Sequence, residues 1–254
     1  MLSYAEFGDP GAPPLMIVHG LYGSGRNWGV IAKRLADAAR VITIDLRNHG
    51  LSPRTDTHSY PDMAGDIAAL IEHLGGPMHV VGHSMGGKAV MLLALTRPDL
   101  LNRLIVADIA PVAYTHSQLP YIHAMRAVDL SNVTRRSEAE AQLAEQGVEP
   151  ALCSFFTQSL DIPGKRWRLN LDTLEAEMPK IMSFPEVDGS FDGPTLFLSG
   201  ATSDYVQPEH RPQIKEMFPN ARFAKLKDAG HWLHADQPRA FEAATRGFLG
   251  LSEA

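Results

Sequence analysis

Six short runs rich in valine, isoleucine and leucine, each separated from the next by helix-like sequence, constrain this chain more than any other feature. They occupy residues 15–19, 41–45, 78–82, 104–108, 195–199 and 222–226. Short strands that are apolar on both faces need cover above and below, and a parallel sheet flanked by helices provides it. Residues 2–7, followed by Gly8-Asp9-Pro10-Gly11, read as an antiparallel edge strand and its turn. The pattern therefore predicts an α/β fold with a doubly wound, mostly parallel sheet.

The helices between the runs carry their own signals. Met63, Ile67, Leu70, Ile71 and Leu74 recur at helical spacing after Ser59 and Pro61, and Gly75-Gly76 ends the element. Residues 84–95 read as a buried helix, with Ala89, Val90, Leu92, Leu93 and Leu95. Asp236 and Pro238 open a last helix whose apolar face is Phe241, Ala244, Phe248 and Leu249. Between the strand ending at Asp108 and the one starting near Thr195, the connection is several times longer than the dozen or so residues a parallel crossover needs. A helical cap is expected there. Ser137 and Glu140 form a capping-box pattern before Ala141 and Leu143, Gly147 stops that helix, and residues 171–182 read as another. At 254 residues the chain suits one domain, with a core of 1–112 and 190–254 and a cap of about 113–189.

The chemistry centres on Gly82-His83-Ser84-Met85-Gly86, a serine between two glycines at the junction of a strand and a helix. That is the pattern of a nucleophile elbow, in which the serine Oγ is exposed on a tight turn and glycines remove the side chains that would block it. A nucleophilic serine needs a base, and His231, in Gly230-His231-Trp232-Leu233-His234 after the last strand, is placed to be one. His234 is expected to pack nearby, and His83 to have no catalytic role although it borders the site. Two amides must face the developing oxyanion. The backbone N–H of Met85 follows the serine, and that of Leu21 lies in the His19-Gly20-Leu21-Tyr22-Gly23 loop after the first central strand.

Two strand ends offer an acid to orient His231. Asp108 closes the run 104–107, whereas Asp204 lies in Gly200-Ala201-Thr202-Ser203-Asp204-Tyr205-Val206. Counting three residues on from Gly200 reaches Ser203, so Asp204 is displaced by one from the usual Gly-x-x-Asp place. Asp108 is the favoured acid and Asp204 the alternative. The stretch Asp45-Leu46-Arg47-Asn48-His49-Gly50-Leu51-Ser52 reads as a polar turn after a strand rather than a metal or catalytic site. No phosphate-binding glycine loop or metal-ligand spacing occurs, so neither metal nor cofactor is expected.

These motifs together resemble the α/β-hydrolase superfamily over nearly the whole chain. Residues 45–54, 82–88 and 107–111 are similar to the corresponding stretches of YbfF-type esterases and their mitochondrial relatives. The resemblance implies serine esterase or thioesterase activity on short-to-medium acyl chains. It also implies a triad acid after the strand that precedes the cap, which maps onto Ser84, Asp108 and His231. Serine at position 84 excludes chemistry that requires an aspartate nucleophile, as in epoxide hydrolases and haloalkane dehalogenases. C–C bond hydrolase and haloperoxidase-like activities share the triad and are the alternative, followed by a non-catalytic binding scaffold.

The expected pocket draws on Leu21, Tyr22, His83 and Trp232 and on apolar cap residues Leu119, Tyr121, Ile122, Met125, Phe155, Phe156, Met178, Met182 and Phe184. A formal charge of -6 argues against nucleic-acid or anionic-membrane partners. The partner is expected to be a small acyl ester or thioester. No apolar run approaches the ~18 residues of a membrane span, the start of the chain lacks a leader pattern, and the single Cys153 fits a reducing compartment, the cytoplasm. Nothing in the sequence distinguishes a monomer from a homodimer, although a cap exposing methionine and aromatic side chains would suit a second copy.

Overall fold

A seven-stranded sheet occupies the centre of the computed structural model, which describes residues 1–251. In chain order its strands are β1 (Tyr4–Phe7), β2 (Pro14–Val18), β3 (Arg40–Ile44), β4 (Met78–His83), β5 (Leu101–Ala107), and, after the insertion, β8 (Thr195–Gly200) and β9 (Ala221–Leu226). The spatial order is β1-β3-β2-β4-β5-β8-β9. Only β1 is antiparallel, pairing with β3 through Tyr4 opposite Ile44. From β2 the chain moves outward to β3 and then crosses back to β4, so the winding direction reverses around β2.

Alternation along each strand divides the apolar side chains between two faces. Met16, Val18, Ile42, Ile44, Val80, Leu104 and Val106 join one buried cluster, which extends into α2 (Tyr60–His73) and α3 (Met85–Thr96). Leu15, Ile17, Val41, Val81, Ile105, Leu196 and Leu198 join the other, beneath α1 (Gly29–Leu35) and α11 (Pro238–Leu249). Every residue of α3 from Met85 to Leu95 is buried, as expected of a helix that is apolar on all sides. Ser59 caps α2 by accepting from the Asp62 amide, with Pro61 in the first turn.

The long connection contains α4 (Leu119–Ala127), α5 (Arg136–Glu145), α6 (Pro150–Thr157), the two-stranded β6 (Leu160–Asp161) and β7 (Arg166–Trp167), α7 (Leu171–Ala176) and α8 (Met178–Met182). Its buried side chains, among them Ile122, Met125, Leu143, Phe156 and Leu174, continue the first cluster rather than forming a separate one. After it come α9 (Arg211–Met217) and the short α10 (Leu233–Asp236).

Several local expectations are corrected. The Ser137/Glu140 box does not form. The α5 helix starts two residues earlier, with Arg135 at the N-cap; Glu138 takes the Thr134 amide at 2.7 Å, and Glu140 instead accepts from the Thr157 hydroxyl at 3.0 Å. The expected helix over 171–182 is interrupted at Glu177, because Pro179 has no N–H to continue the α7 ladder and instead fits the first turn of α8. The β6–β7 hairpin is too short to carry a period. The expected exposed apolar face of the cap is absent: the large hydrophobic residues that stand exposed among the described residues are Met1, Tyr4, Val30 and Leu51, all outside it. No described helix is long and apolar enough to cross a membrane.

The turn from β4 into α3 sets the shape of the site. Ser84 has φ 52°, rare for a non-glycine residue, and its neighbours make room for the turn. A Cβ on Gly86 would lie 2.8 Å from the Val18 carbonyl oxygen, so only glycine lets α3 approach the end of β2 this closely. Gly86→Ala is expected to cost about 1–3 kcal/mol through overpacking, and thermal unfolding should show a melting midpoint lower by about 2–4 °C for each kcal/mol. An unchanged midpoint would show that the turn has slack.

Candidate active site

The sheet delivers the candidate side chains from the C-terminal ends of neighbouring strands. Ser84 follows β4, Asp108 follows β5, and His231 lies in the loop after β9. Ser84 and Asp108 extend the ladders beyond the strands, with their amides donating to Ala107 O at 3.0 Å and Leu198 O at 2.9 Å. Asp236 accepts from the Gly230 amide at 2.8 Å and so ties down the histidine loop from α10.

The three side chains form a continuous relay. His231 Nε2 lies 3.0 Å from Ser84 Oγ, and Nδ1 lies 2.8 Å from Asp108 Oδ2. Asp108 is fully buried, and its charge is met on every side. Oδ1 accepts from the Gly200 amide at 3.0 Å, while Oδ2 also accepts from the Ser203 hydroxyl at 2.5 Å. Acceptance by Asp108 assigns the proton to Nδ1 and leaves the Nε2 lone pair facing the serine. Asp204 does not join them: its carboxylate is turned outward, with Oδ1 3.2 Å from the Gln207 amide nitrogen. The one-residue offset noted in the sequence thus has a physical outcome, since it places a hydroxyl donor, Ser203, beside the acid on the neighbouring strand.

Aromatic packing fixes the plane of His231. The Tyr205 ring stacks on the imidazole at 3.9 Å between centroids and 18° between planes. His83 Nε2 donates to the His231 carbonyl at 2.8 Å, which orients His83 away from the serine while its ring still borders the cavity. His234 stacks on Trp28 at 3.8 Å, the packing role expected of it.

Two further buried histidines hold the loop after β2. His19 donates through Nδ1 to Gly20 O at 2.7 Å and accepts the Leu46 amide through Nε2 at 3.0 Å. His49 donates through Nδ1 to Arg47 O at 2.9 Å and accepts the Tyr22 amide through Nε2 at 3.2 Å. Tyr22 has φ 63°, and its amide is therefore committed to His49. The Leu21 and Met85 amides make no hydrogen bond to a protein acceptor among the described residues. The motif 45–52 is the structural turn expected, with Asp45 accepting from the Gly25 and Leu51 amides, both at 2.8 Å.

A cavity of about 310 Å³ opens over Ser84. Of the residues expected to line it, Leu21, Tyr22, His83, Phe155, Phe156, Met182 and Trp232 do so, as does Tyr121. Leu119 and Ile122 do not. On α4 successive side chains point about 100° apart, so Tyr121 faces the cavity while Ile122 and Met125 turn into the interior of the insertion, where Met125 O accepts from Trp167 Nε1. Met178 and Phe184 are likewise absent from the wall, Phe184 packing against Tyr60 at 6.2 Å. Sequence reading missed Tyr60, Lys88, Tyr114, His116 and Tyr205, all of which line it. Lys88 alone carried a signal, as a lysine inside an otherwise apolar helix one turn beyond Ser84.

Burial sets the protonation of the surrounding imidazoles. Loss of solvent pushes His19 down to about 4, and His49 and His83 down to about 3, while His58 and His234 also fall well below the ordinary range. In the unfolded chain these groups take up protons near pH 6.5, whereas the folded protein keeps them neutral. Their contribution to stability is therefore complete above about pH 6.5 and lost as the pH falls below it, by up to about 1.4 kcal/mol per pH unit for each. Urea denaturation should give a midpoint that is level above pH 7 and drops steeply between pH 6 and 5. A midpoint still level at pH 4.5 would show that the histidines protonate without unfolding the chain.

Comparison with known proteins agrees with this geometry. The profile of the alpha/beta hydrolase family matches residues 15–244. The chain is 43% identical over 253 residues to the sn-1-specific diacylglycerol lipase ABHD11 of Mus musculus, covering 95% of this chain and 82% of that protein. It is 37% identical over 240 residues to the esterase YbfF of Escherichia coli K12, covering 93% and 92%. A solved structure titled marine microorganism esterase superposes with a TM-score of 0.91 at 39% identity, covering 97% of this chain and 98% of that one. The extent of these matches and the seven-stranded sheet make the chain a member of the α/β-hydrolase family.

Proposed function

We propose that this protein is a serine hydrolase that cleaves carboxylic esters or thioesters of short-to-medium acyl chains through an acyl-serine intermediate. The observation that carries the reading is the unbroken Ser84–His231–Asp108 relay opening onto a largely apolar cavity. Ser84 Oγ attacks the carbonyl carbon while His231 Nε2 takes its proton. Asp108 fixes the tautomer and stabilises the imidazolium that results. The Leu21 and Met85 amides receive the negative charge on the carbonyl oxygen. The imidazolium then protonates the leaving alcohol or thiol, and water, deprotonated by the same imidazole, releases the acid from Ser84.

Several features support the finer assignments. Leu21 N–H is available because no protein acceptor takes it among the described residues, whereas the neighbouring Tyr22 amide is taken by His49. Residues 113–189 act as a cap on a core of 1–112 and 190–254, since Tyr121, Leu152, Phe155, Phe156, Ile181 and Met182 close the cavity from that segment. The Tyr205 face stacked on His231 holds the imidazole in the plane that joins Ser84 to Asp108. A single buried cysteine, Cys153, suits the cytoplasm.

Turnover of p-nitrophenyl butyrate tests the reading. Ser84→Ala should abolish it, Asp108→Asn should lower kcat by about 10⁴-fold, and Asp204→Asn should leave kcat unchanged. Full activity in Ser84→Ala would remove the serine as nucleophile, and a loss confined to Asp204→Asn would transfer the acid role. Tyr205→Leu should lower kcat about 10-fold, the ~1.4 kcal/mol scale of an aromatic pair that holds the imidazole in place, with Tyr205→Phe restoring it; equal losses in both variants would assign the effect to the hydroxyl.

A further inference from the structure

The cavity wall holds a lysine that the hydrolytic mechanism does not use. Lys88 is 1% exposed, yet it belongs to the wall. Its Nζ donates to Ser183 O at 2.6 Å and lies 3.3 Å from Met182 O. The same nitrogen sits 4.7 Å from the centroid of Tyr114 and 5.7 Å from that of Tyr60. Tyr60, Tyr114 and Met182 all line the cavity, so the ammonium lies at its surface rather than behind it.

No carboxylate answers this charge. Lys88 makes no ion pair among the described residues, and no aspartate or glutamate lines the cavity. Two carbonyl oxygens and two aromatic faces offer only partial charges in exchange for lost water, and burial lowers the group to about 7. His116, a wall residue on which the Lys88 charge acts, is itself held below the ordinary histidine range, chiefly by burial, and brings no negative charge. A structural latch explains the bonds to Met182 and Ser183, but a neutral donor would serve a latch without the cost of burying a cation.

Position relates this cation to the nucleophile. Lys88 follows Ser84 by four residues, its amide donates to Ser84 O at 3.1 Å, and both side chains line the same cavity. A rise of about 1.5 Å per residue separates their Cα atoms by roughly 6 Å along the axis. An acyl chain held on Ser84 would therefore extend through a cavity whose wall the ammonium belongs to.

Resting on the hydrolase reading above, we infer that Lys88 is a specificity-determining residue, which selects acyl groups ending in a carboxylate: thioesters or esters of short dicarboxylic acids. The far carboxylate pairs with Nζ in the desolvated wall while the near carbonyl is attacked by Ser84. The reaction is unchanged, with water adding to the acyl carbon, the thiol or alcohol leaving, and a dicarboxylate released.

The test compares N-acetylcysteamine thioesters of succinic, glutaric and adipic acids with the same thioesters methylated at the far carboxyl, after subtraction of the non-enzymatic rate. At pH 6.5 the best free acid should exceed its methyl ester in kcat/KM by about 30-fold or more, as expected for a hydrogen-bonded charge pair out of water. Because the lowered Lys88 loses its proton as pH rises through about 7, the ratio should shrink between pH 6 and 9. Lys88→Met should bring the ratio near one, and Lys88→Arg should retain a preference; each ratio is taken within one enzyme, so a general loss of activity cancels. Equal rates for acid and methyl ester in the wild type, or a preference that survives in Lys88→Met, would overturn the inference. The wild-type comparison decides the matter even where a variant does not fold. Absence of any Ser84-dependent turnover, with p-nitrophenyl butyrate included, would instead defeat the hydrolase reading itself.

Discussion

The turn at Ser84 is the constraint on which the rest of this structure depends. A residue with a side chain is held at φ 52° between a strand and a helix that are buried over most of their length, and its Oγ borders the cavity at the sheet edge. Close approach of Gly86 to the end of β2 brings the loop after that strand beside the serine. The same turn leaves the first amides of α3 without intrahelical partners and sets Lys88 one turn away on the cavity side. In a parallel sheet all such turns gather at one edge, so Asp108, Ser203 and the His231 loop arrive there from the adjoining strands without any sequence proximity.

Desolvation gives the site its second organising feature. Histidines at 19, 49 and 83 are buried and neutral; the first two spend both ring nitrogens on backbone groups, and His83 spends Nε2 on the His231 carbonyl. They act as rigid, uncharged brackets around the loop after β2 and around His231. Asp108 is the opposite case, a charge buried completely but surrounded by the Gly200 amide, the Ser203 hydroxyl and the His231 imidazole. A buried carboxylate with three donors is sustainable where an isolated one is not. Lys88 lies between these cases, a buried cation with partial compensation facing an open space.

Much of the architecture was legible because it rests on local period and on glycine. The central strands are runs of β-branched and aliphatic residues, and the Gly82 to Gly86 pattern marks a turn that few other sequences could make. Where reading failed, a competing interaction outside the local window decided the outcome. Glu138 outcompeted Glu140 for the cap of α5 because Glu140 had a partner in Thr157, seventeen residues away. Ile122 turned inward into the buried cluster that the insertion continues. Tyr205 and Tyr114 carried no signal at all, since an aromatic residue in a loop announces neither what it stacks on nor which cavity it borders.

The sequence alone determined the α/β class, the position of the serine on its turn, and the chain order in which serine precedes histidine, because each follows from short-range sterics and hydrophobic pattern. It left two carboxylates competing for His231. Only the tertiary structure separated them, because a one-residue offset at the end of β8 turns Asp204 to solvent and puts the Ser203 hydroxyl against Asp108 on the neighbouring strand. The cavity wall was likewise beyond the sequence, since it is assembled from α2, α3, the insertion and the Tyr205 loop, and which side chains share a volume is fixed by packing among elements far apart in the chain.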